Sequence, residues 1–264
     1  MSALRGNVLI TGASGGIGQA IARAVASRGA TVLLSARRVE VLEPLAAEMG
    51  GRVLACDLSQ RDDVAGLVEQ AGEVEVLIAN AALPASGLLT ELTQEEVDRM
   101  LEVNLRAPIA LAHALAPAMI ARRRGHMVFV SSLAGKAASS SSSIYSATKF
   151  GLRGFALALR ADLQPHGVGV STVLPGFIRD AGMFAEADVN LPRGVGTRTP
   201  EQVAAAVVKA IESDRAELEV APLGLRLGAA FAGIAPGVAG KMSRLMGSEK
   251  IADDLAAGQA NKRT

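Results

Sequence analysis

Seven apolar runs recur along the 264-residue chain, at 7–10, 31–36, 52–56, 74–79, 126–130, 168–174 and 217–220. Short runs with little polar alternation are what a parallel strand buried on both faces needs. Between them, apolar residues return at the three-to-four spacing of a helix. Ile21, Ala22, Val25 and Ala26 share one face after the first run, and a second helix is predicted over 39–49. Ser59 with Asp62 reads as the N-cap pair of a third, which leaves Asp57 free. A long helix is predicted over 93–122, lined by Leu101, Val103, Leu105, Leu111 and Leu115, with Pro108 and Pro117 marking a kink or a break. Ala147, Phe150, Leu152, Phe155, Ala156 and Leu159 predict a largely buried helix stopped by Pro165-His166-Gly167. A final helix over 199–213 has Pro200 at its first position.

Strand–helix alternation of this kind predicts an α/β fold: one doubly wound, Rossmann-type domain with a central parallel sheet flanked by helices. The domain covers 1–222 and includes an aperiodic stretch, 177–199, that reads as a substrate lid. Residues 223–264 form an apolar helical extension expected to pack on the same domain, over the substrate pocket or at a subunit contact. Its uncharged run, 227–240, is bracketed by Arg226 and Lys241 and falls short of the roughly twenty residues of a membrane span. Shallow membrane association through 223–246 is the weaker reading.

Composition narrows the classes. With 27 basic and 26 acidic residues, the net charge of +1 sets up no field that would favour nucleic acid. Cys56 is the single cysteine, so no intrachain disulfide forms and a reducing, cytoplasmic setting is expected. The first six residues lack the layout of a signal peptide, in keeping with that location. His113, His126 and His166 lack metal-ligand spacing, and no metal is expected.

The candidate chemistry gathers at strand ends. Gly12, Gly16 and Gly18 lie between the first strand and first helix, where small residues let a pyrophosphate approach the backbone and a helix N-terminus. The second strand ends in Ala36 where an acidic residue would hold an NAD ribose, and Arg37 follows, suited to a 2′-phosphate. NADP(H) is therefore favoured over NAD(H). Asn80 ends the fourth strand and Ser132 follows the fifth. Tyr145 and Lys149 stand four apart on a helix, which places an ammonium one turn from a phenol. Such a cation should lower the phenol toward neutral pH and fit it for proton exchange.

These residues resemble the short-chain dehydrogenase/reductase pattern from Asn7 to about Val220: Thr11-Gly12-x-x-x-Gly16-x-Gly18, Asp57, Asn80-Ala81-Ala82, Asn104, Ser132, Tyr145-x-x-x-Lys149 and Pro175-Gly176. The resemblance implies hydride transfer between NADP(H) and a carbonyl or alcohol. Tyr145 would be the general acid/base, Ser132 the holder of the substrate oxygen, Lys149 the ribose ligand, and Asn104 the anchor of a water leading to solvent. The cofactor set it implies is Gly12, Ser14, Gly16, Ile17, Gly18, Arg37, Asp57, Leu58, Asn80, Tyr145, Lys149, Pro175, Gly176 and Ile178. Leu83, Leu133, Phe177, Met183 and Phe184 would shape an apolar pocket, favouring a hydrophobic ketone or secondary alcohol. Homodimers or homotetramers are implied too. Three positions depart from the pattern: Ala82 and Asp180 replace a glycine and a threonine, and Gly15 stands where some NADP-binding members carry a base. The alternatives are a nucleotide-sensing regulator on the same fold and a 3-oxoacyl-carrier reductase docking through Arg153 and Arg160.

Overall fold

The computed structural model describes residues 3–84, 87–185 and 195–245, together with Gly258. Seven strands form one parallel sheet in the order β3-β2-β1-β4-β5-β6-β7. They are β1 (Asn7–Thr11), β2 (Thr31–Ala36), β3 (Arg52–Ala55), β4 (Val76–Ala79), β5 (Gly125–Val130), β6 (Val168–Pro175) and β7 (Glu217–Val220). The seven runs of the sequence are these strands, with ends moved by at most two residues.

Alternate residues of each strand face opposite sides, and helices cover both. On one side, Val8, Ile10, Val76, Ile78 and Val128 pack against α1 (Gly16–Ala26), α2 (Val39–Met49) and α8 (Pro200–Glu212). On the other, Leu9, Leu33, Leu77, Met127 and Phe129 meet α3 (Arg61–Ala71), α5 (Ala107–Arg122) and α6 (Ser143–Leu163). Each such side chain, fully buried, contributes about 1.5–3 kcal/mol. The order reverses between β1 and β4, and ligands of open α/β sheets bind at the carboxyl ends beside such a switch point.

Two local predictions are corrected. Helix α3 begins at Arg61 with Gln60 as its cap, so Ser59 and Asp62 are not the cap pair. The long helix does not break at its prolines. It runs as α4 (Gln94–Leu101), a π-helical turn (Glu102–Arg106) and α5, in one 29-residue rod. Pro108 stands just past the π turn, where the missing N–H leaves the Asn104 carbonyl without its i+4 donor. The rod is long and apolar enough to cross a membrane by length alone, but Leu111, Leu115 and Met119 bury it against the sheet.

Beyond β6 the chain forms a single turn of helix, α7 (Gly182–Ala185), and is pinned at its base by a bridge between Ile178 and Arg198. The middle of the expected lid, 186–194, lies outside the described residues. Past β7 come α9 (Leu223–Ile234) and α10 (Pro236–Leu245). Leu223, Leu227, Phe231 and Ile234 of α9 are exposed, and Ala229 alone in that helix is buried.

Candidate active site and dinucleotide cleft

A cleft of about 540 Å³ opens at the carboxyl ends of β1, β2 and β4. Its floor is the loop from β1 into α1. Gly12 has φ +66°, and a Cβ there would lie 2.7 Å from the Ala81 Cα. A Cβ on Gly18 would collide with the Gly12 carbonyl, so neither position admits a side chain. The α1 N-cap, Gly15, makes no side-chain cap bond, which leaves the first N–H groups turned to the cleft for an anion. Ser14, Gly15, Gly16 and Ile17 line this part. Backbone room, helix N-terminus and cleft size together fit a dinucleotide.

Asn80 braces the loop rather than simply facing it. Its Nδ2 donates to the Thr11 and Gly12 carbonyls, both at 3.2 Å, and its N–H donates to Thr11 Oγ1 at 3.2 Å. Arg37 lines the cleft at the end of β2, and Arg38 lines it too, with its guanidinium 3.4 Å from Ser14 Oγ. Sequence reasoning singled out Arg37 and left Arg38 out of the cofactor set; its place directly after Arg37 was the available signal. Arg99 of α4 was missed altogether, since nothing in its spacing reveals that it faces Asp57, 3.8 Å away.

Asp57 and Leu58 also line the cleft, but Asp57 is not free as expected. Its Oδ1 accepts from the Ser59 N–H at 3.0 Å and from the Ser59 hydroxyl at 2.8 Å. Burial alone would raise its pKa, yet the Ser59 bonds, with Arg37 and Arg99 nearby, hold the carboxyl below the usual range.

The proton-transfer candidates sit on two neighbouring elements. Ser132 caps a single 3-10 turn, Leu133–Gly135, and its Oγ accepts from the Ala134 N–H at 3.1 Å. Tyr145 and Lys149 project from successive turns of α6, with the ammonium 5.6 Å from the centre of the phenol ring. Lys149 is 2% exposed, and its Nζ donates to the Val130 carbonyl at 3.1 Å. Burial lowers the lysine from 10.5 to about 8.

The expected lowering of the phenol by Lys149 is not what these groups produce. Burial pushes Tyr145 up, and the opposing pull comes from a hydrogen bond with Ser132. The reason is geometric: the ammonium stands over the ring and is itself desolvated.

Asn104, fully buried in the π turn, spends both ends of its amide on Leu83. Its Oδ1 accepts from the Leu83 N–H at 2.7 Å, and its Nδ2 donates to the Leu83 carbonyl at 2.9 Å. These two bonds fix the orientation of the amide and commit one donor and one acceptor to the main chain of Leu83.

Leu83 and Met183 line the cleft, whereas Ser132, Tyr145, Lys149, Leu133, Phe177 and Phe184 do not. Helix α7 joins the two sets: Met183 lines the cleft, and the Phe184 ring meets Phe177 at a 51° tilt with ring centres 5.0 Å apart. Gly182 packs over Ile17. Pro175 accepts from the Ser132 hydroxyl at 3.4 Å, Gly176 packs on Leu133, and Ile178 is buried in the core. Asp180, which replaces the threonine of the family pattern, has φ +70°, is 66% exposed, pairs with Arg179 and does not line the cleft.

Among known proteins, the family profile described as short chain dehydrogenase matches residues 6–191. A ketoacyl reductase, HetN, of Nostoc sp. is 37% identical over 230 residues, which cover 83% of this chain and 80% of that one. Dehydrogenase/reductase SDR family member 7B of Xenopus laevis is 34% identical over 82% of this chain and 74% of its own. Among solved structures, a short-chain dehydrogenase from Sphingobium yanoikuyae in complex with NADPH superposes with a TM-score of 0.76 at 31% identity, covering 88% of this chain and 94% of that one. A metagenomic short-chain oxidoreductase in complex with NADP gives 0.67 at 35% identity, over 84% and 97%.

Proposed function

The chain belongs to the short-chain dehydrogenase family and is an NAD(P)-dependent oxidoreductase, and from that premise we propose that it interconverts a hydrophobic ketone and its secondary alcohol with NADP(H). The observation that carries this reading is Tyr145 with the Lys149 ammonium one turn away on α6, 5.6 Å from the ring centre, and Ser132 drawing the phenol's pKa down, beside a cleft built for a dinucleotide. The bound nicotinamide supplies the hydride acceptor or donor. Tyr145 gives its phenolic proton to the carbonyl oxygen in reduction and takes one from the alcohol in oxidation. Ser132 donates to the same oxygen as charge builds on it. Lys149 holds the ribose and carries a positive charge 5.6 Å from the centre of the phenol ring. Arg37 and Arg38 together receive the 2′-phosphate, and two NADP-containing structural neighbours support that preference. Apolar Leu83, Leu133, Phe177, Met183 and Phe184 select the substrate. Assembly as a homodimer or homotetramer in the cytoplasm completes the reading; exposed Leu101, Phe150 and Leu157 on the rod and α6 support such a contact.

The 3-oxoacyl-carrier alternative draws support from the Nostoc relative's name. Its docking residues are occupied, however: Arg153 pairs with Glu217 and Arg160 with Asp214. NADPH consumption measured across a panel of apolar ketones tests the leading reading. Tight NADPH binding with no turnover of any ketone would instead favour a nucleotide sensor.

A further inference from the structure

The turn that carries Ser132 is held at both ends. At its start, the Ser131 hydroxyl donates to the Lys149 carbonyl at 3.0 Å, and a Cβ on Gly135 would lie 2.7 Å from the same oxygen. The turn is thus seated directly on α6. At its far end is Lys136, whose N–H closes the turn on the Leu133 carbonyl at 2.9 Å. Its ammonium reaches across to β7, 2.8 Å from Glu219 and 3.3 Å from Glu217. Those carboxylates stand two apart on one strand and so face the same side. All three side chains are about four-fifths buried, at 18%, 21% and 15% exposure for Lys136, Glu217 and Glu219.

The carboxylates are shared. Arg153 of α6 takes Glu217 with two nitrogens, and Arg226 of α9 takes Glu219 at 2.7 Å. Lys136 is the member that belongs to the Ser132 turn. It joins that turn to β7, next to the strand whose Pro175 carbonyl receives the Ser132 hydroxyl. An isolated surface pair would be worth little; partly buried and networked, this one can hold a single turn in place.

Building on the proposed roles of Ser132 and Tyr145, we propose that Lys136 is a positioning residue, whose ion pairs with Glu217 and Glu219 keep the Ser132 hydroxyl within hydrogen-bonding reach of Tyr145. It acts through the turn, not on the substrate or cofactor. Through Glu219 and Arg226, helix α9 is fastened to the same clamp.

One property of the sequence makes this testable without a known substrate. The chain has one tyrosine and no tryptophan, so ultraviolet titration of tyrosinate reports Tyr145 alone. Ser132 draws that phenol's pKa down against the upward push of burial. Lys136→Met should move the titration midpoint upward, by as much as Ser132→Ala does, and Lys136→Arg should return it. Arg226→Ala, which leaves both Lys136 pairs intact, should not move it. A Lys136→Met midpoint equal to wild type would overturn the proposal, even with a lowered melting temperature, since that pattern marks a purely structural residue. If Lys136→Met does not fold, Glu219→Gln removes the shorter pair and should shift the midpoint the same way; no shift would again overturn it. On any ketone turned over, Lys136→Met should lower kcat by about tenfold with NADPH affinity unchanged. Turnover retained in Tyr145→Phe would defeat the catalytic reading itself, a failure distinct from an unmoved titration.

Discussion

The two ends of this sheet carry similar residues and differ in what they can do. At the carboxyl end lie Ser132, Tyr145 and Lys149. At the amino end, His126 Nε2 stands 2.8 Å from Ser171 Oγ, and Asp214 acts on the imidazole from nearby while Arg160 grips it. By residue type alone, serine, histidine and aspartate look the more reactive group. Yet Ser171 has no exposure, and Asp214 is committed to Arg160 at 2.8 Å. A small cavity of about 290 Å³ reaches His126 and Asp214 but not Ser171. Burial pushes His126 down to about 4, so near neutral pH it is a neutral brace between β5 and β6. What separates the two ends is whether the hydroxyls can be reached: Ser132 and Tyr145 are half-buried, whereas Ser171 is sealed. A parallel sheet puts the turns that can open around a ligand at its carboxyl edge.

The sharpest way to break this contrast is a paired substitution. Tyr145→Phe should cost about 10²–10⁴ in turnover while NADPH affinity stays within about twofold, whereas Ser171→Ala should leave turnover near wild type. Steady-state kinetics with titration of NADPH decides it, and equal losses would put chemistry at both ends.

His126 comes next. Its folded pKa lies below the free value of 6.5, so the unfolded chain binds the extra proton. Stability should therefore fall as pH drops from about 6.5 toward 4, by at most about 3 kcal/mol. Denaturant melts across that window should show the slope, and His126→Gln should flatten it.

Arg37→Ala should weaken NADPH about tenfold and leave NADH nearly unchanged; Arg38→Ala should do the same to a smaller degree. Binding isotherms with both nucleotides check this, and equal losses for each would detach the arginines from the 2′-phosphate.

The smallest effect expected is on stability at the active end. Lys149 is held at about 8 against its free 10.5, so its burial opposes folding most where it is charged. Lys149→Met should raise the melting temperature at pH 7 by a few degrees, on the order of 1 kcal/mol, while abolishing turnover. The gain should shrink as pH climbs from about 8 toward 10.5, where the unfolded wild type keeps its proton longer than the folded form. A loss of stability at pH 7 would mean the bond to Val130 outweighs the desolvation.

Much of this was legible in the linear pattern. Strands buried on both faces must be continuously apolar, so the seven runs located β1–β7, and Thr199 with Pro200 marked the start of α8, where a capping box forms. Glycines at 12 and 18 announced a backbone that admits no side chain, and four-residue spacing put Lys149 beside Tyr145. Other features depended on partners far along the chain. The π turn at Asn104 satisfies Leu83, twenty-one residues away, and Asp57 is held by its own turn and by Arg99. The clamp on the Ser132 turn joins Lys136 to residues more than eighty positions later. No local spacing encodes those meetings.

Sequence alone therefore determined the alternation of elements, the phosphate loop and which residue types could exchange a proton, because each follows from local backbone geometry and side-chain chemistry. Only the folded arrangement decided which groups lie dry, which carboxylates are already taken, and whether the phenol is eased or hindered in losing its proton. Desolvation and charge pairing depend on what the whole chain brings within a few ångströms, and that distance is set by the packing of the sheet and its helices.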